Sequence, residues 1–64
     1  MDDTTHDDGT LNEVSLVEIA GEWHVIVREQ GQKPVISTFE FSYYAVNFAE
    51  GQRLRLGLDN VTRN

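Results

Sequence analysis

The stretch Ser42-Tyr43-Tyr44-Ala45-Val46-Asn47-Phe48-Ala49-Glu50-Gly51-Gln52-Arg53-Leu54-Arg55-Leu56-Gly57-Leu58 decides which fold this chain can adopt. Placed on a helix, Tyr44, Ala45, Phe48, Ala49, Gln52 and Leu56 share one stripe at spacings of three and four. Tyr43, Val46, Asn47, Glu50 and Arg53 lie off it. Ser42 is a favourable N-cap residue ahead of a run free of proline. Ala45 and Ala49 are small enough to bring the helix close to a neighbouring layer.

The end of the stretch admits two readings. Residues 53–58, Arg-Leu-Arg-Leu-Gly-Leu, alternate with period two. A helix capped at Gly51 would release them as a fourth strand with Leu54, Leu56 and Leu58 inward. A helix running through Gly51, at a cost of about 1 kcal/mol relative to alanine, would be capped by Gly57. Arg53 and Arg55 would then sit in the last turns, where positive charge suits the helix dipole, and Leu54 would leave the apolar stripe. A helix ending at Gly51 would have only nine residues, so the longer one is preferred.

Upstream, the period is that of strands. Trp23, Val25 and Val27 alternate with His24, Ile26 and Arg28, the signature of a half-buried antiparallel strand. Before it, Glu13 to Ala20 is rich in apolar and β-branched residues. Val14, Leu16 and Ala20 fall on one side of that run and Val17 and Ile19 on the other; periodicity alone leaves open which side is core. Ala20-Gly21-Glu22 reads as a tight hairpin turn with positive φ at Gly21. A second turn, Glu29-Gln30-Gly31-Gln32, uses Gly31 in the left-handed region. Pro34 has no N–H and should open an edge strand or sit at a bulge. The third run, Val35 to Phe41, sets Val35, Ser37, Phe39 and Phe41 on one face, with Phe39 and Phe41 expected against Trp23.

The predicted fold class is therefore α+β: a three-stranded antiparallel β-meander packed on one C-terminal helix, β-β-β-α, with a fourth strand at 53–58 as the alternative. The expected organisation is a disordered acidic leader at 1–10, one domain at 11–58, and a frayed end at 59–64.

Length and charge bound the function. The chain has 64 residues, 11 Asp plus Glu against 5 Lys plus Arg, and a net charge of -6. Asp2, Asp3, Asp7 and Asp8 account for four of those charges, so the body is nearly balanced. A domain of about 60 residues buries only about 60% of its unfolded surface, and with no cysteine there is neither a disulfide nor a cysteine-based zinc site to reinforce it. Good local packing, or burial against a second copy, remains. No apolar run approaches the ~20 residues of a membrane span, and the polar N-terminus does not read as a signal peptide. The expected location is the cytoplasm. His6 among the aspartates could hold a divalent ion, but Asp-Asp-x-x-His-Asp-Asp lacks the spacing of a calcium loop.

The candidate site is the sheet face that the helix leaves open. It would carry His24, Ile26 and Arg28, with Ile36 or Val35 from the third strand according to register. Apolar residues on an uncovered face of so small a domain suggest a partner. The expected partner is a second copy or another protein. No membrane, cofactor or small-molecule substrate is called for. The alternative reading is a nucleic-acid-binding accessory protein using Arg28, Lys33, Arg53 and Arg55, against which the acidic balance weighs. Catalysis by His24 would need an acid or nucleophile held beside it, and no residue is so placed by sequence.

Over residues 21–50, the pattern Gly21-x-Trp23-x-Val25-x-Val27, then Gly31, Phe39 and an alanine-bearing helix, resembles two kinds of small domain. One is the N-terminal arm-binding domain of tyrosine integrases, in which a three-stranded sheet reads DNA; the other is a group of short bacterial β-β-β-α domains. The resemblance rests on hydrophobic spacing and two glycines, and it implies the architecture without carrying over any functional residue.

Overall fold

A computed structural model describes residues 12–63. The acidic leader and the His6 reading lie outside the described residues. Three strands, β1 (Glu13–Ile19), β2 (Glu22–Arg28) and β3 (Val35–Phe39), form an antiparallel meander, followed by a helix, α1 (Ser42–Leu56). The α+β reading, β-β-β-α, is borne out. A two-residue strand, β4 (Thr62–Arg63), runs parallel to β1, giving the sheet order β3-β2-β1-β4.

The β1–β2 turn fixes the register. Ala20 and Gly21 both have positive φ, 53° and 82°. That is the two-residue turn whose twist matches antiparallel strands. Ile19 therefore faces Glu22, and Leu16 faces Val25. On β3, Val35 pairs with Val27 and Phe39 with Trp23. Since side chains alternate along each strand, Val14, Leu16, Val25 and Val27 all point to one side. Ala45 and Ala49, one turn apart on α1, complete the six buried core residues among those described. The periodicity of β1 left its inward face open; packing against α1 selects Val14 and Leu16.

The helix takes the longer course, so residues 53–56 are helical and not strand. Gly57 caps it with φ 71°. Its N–H donates to the Leu54 carbonyl at 3.2 Å, and the Leu58 N–H reaches back to Arg53 at 3.0 Å. This pair of bonds is a Schellman cap, and Leu58 packs against the core beyond it.

Five details differ from the sequence reading. Phe41, not Ser42, is the N-cap, and no side chain caps the helix. Phe41 lies beyond the end of β3 and is 61% exposed, so it does not join Trp23. Tyr44, expected in the core, is 58% exposed and contacts Phe41 edge-on. Val46, expected off the stripe, packs against the core. At the C-terminal end, where fraying was expected from residue 59, Val61 packs on the core and Thr62–Arg63 pairs with Ser15 and Leu16. The buried face of α1 is centred on Ala45 and Ala49; at about 100° per residue Val46 lies nearer that centre than Tyr44, so Val46 packs inward and Tyr44 faces out. Free backbone groups on the outer edge of β1 provide a reason for the C-terminal return.

Candidate interaction surface

The register assembles the open face of the sheet. Ile26 on the central strand β2 stands opposite Ile36 on β3 and Ser15 on β1. His24 stands opposite Thr38 and Val17. All four residues singled out from the sequence, His24, Ile26, Arg28 and Ile36, lie on this face, and of the two β3 sets it is the Ile36 set that belongs there. Val17 and Ile19 join them from β1. Ile36 is 63% exposed and Ile19 59%, while Ile26 is half-buried between its neighbours.

Polar groups hold the margins. His24 Nδ1 lies 3.1 Å from the Thr38 hydroxyl, and its Nε2 lies 3.8 Å from Glu22. At the far end, Arg28 approaches Glu13 at 3.9 Å, and the Thr62 hydroxyl donates to the same carboxylate at 3.2 Å. The result is an apolar pair, Ile26–Ile36, with the His24–Thr38 pair on one side and Arg28 and Glu13 on the other. Such a face can exclude water over its middle and orient a partner at its rim.

The alternative basic set is not brought together. Arg28 is on the open face. Arg53 lies in the helical layer, where it donates to Glu50 at 2.8 Å and to the Leu58 carbonyl at 3.0 Å. Arg55 bridges Gln52 and Glu29, the latter at 3.1 Å. Only Lys33 and Arg55 share a surface, a cleft of about 300 Å³ over Val27, Val35 and Phe48. A second cleft of about 420 Å³ lies between Glu13 and Asp59, near the C-terminal return. Neither includes His24. His24 has an acid 3.8 Å away in Glu22, on the same strand face.

Among the described residues no group of three or more His, Asp or Glu could hold a metal ion, and no helix is long and apolar enough to cross a membrane. The chain matches no family model, no curated protein and no solved structure. The reading of its function therefore rests on its own surface.

Proposed function

We propose that this chain is a small cytoplasmic interaction module that self-associates through the open face of its sheet. The carrying observation is the cross-strand pair Ile26–Ile36 near the middle of that face, with Val17 diagonal to it on β1. Among the described residues the buried core holds six, and a second copy would add apolar burial to it. A two-fold arrangement suits one self-complementary patch, and two twisted sheets packed face to face cross at about 30°.

The size of the face sets the strength. Three strands at ~4.8 Å spacing and seven residues at ~3.3 Å give a footprint of roughly 300 Å² per copy. Stable interfaces bury about 1,200 Å² or more in total. The sheet contact is therefore of the weak, concentration-dependent kind. Sedimentation equilibrium across a tenfold concentration range tests it: the average mass should rise above the 7.3 kDa subunit as concentration increases. Ile26→Glu should weaken association at least tenfold while the circular dichroism stays native. An unchanged mass profile for that variant would remove the sheet face from consideration.

A further inference from the structure

The cleft over Val27, Val35 and Phe48 lies on the helix side of the sheet, away from the open face. Its floor is apolar. Val27 is buried, Val35 stands opposite it on β3, and the Phe48 ring is held against Phe39 with centroids 5.5 Å apart. The turn at one end is fixed by two bonds: the Gln32 N–H donates to the Glu29 carbonyl at 2.9 Å, and the Gln30 N–H donates to Asn12 Oδ1 at 2.8 Å. Lys33 and Arg55 stand at the rim. Glu29 and Gln52 hold the Arg55 guanidinium, at 3.1 and 2.8 Å. Two cations less one carboxylate leave one net positive charge in the cleft, which a single carboxylate matches and a dianion exceeds. A volume of about 300 Å³ is at the lower end of ligand clefts, room for one apolar side chain beside its carboxylate.

The cleft runs into an unpaired strand edge. β3 is the outer strand of the sheet, and among the described residues nothing pairs with its free side. The opposite edge, on β1, is covered by β4. Edge strands are commonly blunted by charge, proline or a bulge. Val35-Ile36-Ser37-Thr38-Phe39 contains no charge and no proline, and its register with β2 is unbroken. Pro34, just before it, has no N–H, so a strand added to β3 finds no donor there and stops at the cleft.

Val35 belongs to both the cleft and the edge, and that fixes what fits them together. A peptide running antiparallel to β3 would end beside Val35. Side chains of residues paired across a sheet point to the same side. The last side chain, opposite Val35, would therefore enter the cleft, and the carboxylate that follows it would lie between Lys33 and Arg55. The preceding residue, opposite Ile36, would face the other side. Main-chain bonds to the edge give such a contact its affinity, and the pocket for the last side chain gives its selectivity. We infer that the groove between β3 and α1 binds the carboxyl terminus of an extended peptide with an apolar last residue, by strand addition to β3.

The test is fluorescence anisotropy with the full chain and an N-terminally labelled peptide, Ser-Thr-Val-Thr-Leu, with a free carboxyl terminus. Binding should saturate, and amidating the terminus or ending the peptide in Asp should weaken it at least tenfold. Lys33→Glu lies in an exposed turn, so the subunit should fold, which circular dichroism verifies; it too should weaken binding at least tenfold. Strand addition is tested on the peptide alone, by N-methylating every second amide in either phase. One phase removes the donors that face β3 and should lose binding, while the other should keep it. Ile26→Glu should bind the peptide like its parent, whether or not that variant still self-associates, so this site and the sheet face stand or fall separately. No saturable binding up to about 1 mM, or equal binding of the amide, would overturn the inference. So would equal binding of both methylated peptides, or binding of 4-methylpentanoate as tight as that of the peptide, which would make the cleft a site for small acids only.

Discussion

The β1–β2 turn offers a test of whether backbone conformation alone limits stability here. Ala20 sits at φ 53°, a region where a Cβ crowds its own backbone. Such a residue stores about 1 kcal/mol or more. Asparagine tolerates this region, and Asn-Gly is the favoured pair for a two-residue hairpin. Ala20 is exposed and outside the core, so Ala20→Asn should change the turn and little else. The expected gain is about 0.5–1 kcal/mol, which for a domain of this size means a rise in Tm of about 2–8 °C. Gly21→Ala provides the reverse sign. Its φ is 82° and an added Cβ would meet nothing within 4 Å, so any loss is conformational strain, again about 1 kcal/mol. Both variants should be measured by urea and thermal unfolding at one fixed protein concentration, since association would add to apparent stability. If Ala20→Asn fails to stabilise, or Gly21→Ala is neutral, the register of β1 and β2 does not depend on this turn in the way argued. That outcome would also weaken the placement of Ile26 opposite Ser15.

Three further outcomes follow from the packing. Val25 is fully buried at the centre of the sheet, and Val25→Ala should cost about 2–3 kcal/mol from lost methyl burial and the cavity left; denaturant titration reads this. Gly57→Ala forces a Cβ into the left-handed cap, and it should lower stability by about 1 kcal/mol and fray the last helical turn, visible as faster amide exchange at Leu58. Arg53→Ala removes the partly exposed pair with Glu50 and the bond to the Leu58 carbonyl, for a loss of about 0.5–1 kcal/mol by chemical denaturation.

The sequence by itself determined the order of elements. Alternation through Trp23, Val25 and Val27 can only make a half-buried strand, and glycine was the one residue free to take the left-handed positions at 21, 31 and 57. The run from Ser42 through Leu56 without proline, ended by Gly57, carried the helix past Gly51. The members of the open face were legible for the same reason: once one side of β2 is core, His24, Ile26 and Arg28 must be on the other. Tertiary structure decided what local pattern leaves degenerate. Val14 and Leu16 rather than Val17 and Ile19 became core because the side that meets α1 depends on pairing between strands. Tyr44 turned outward and Val46 inward because packing centred the buried helix face on Ala45 and Ala49. The C-terminal return was hidden because a two-residue parallel strand has no periodicity to read; only the unpaired edge of β1 specifies it.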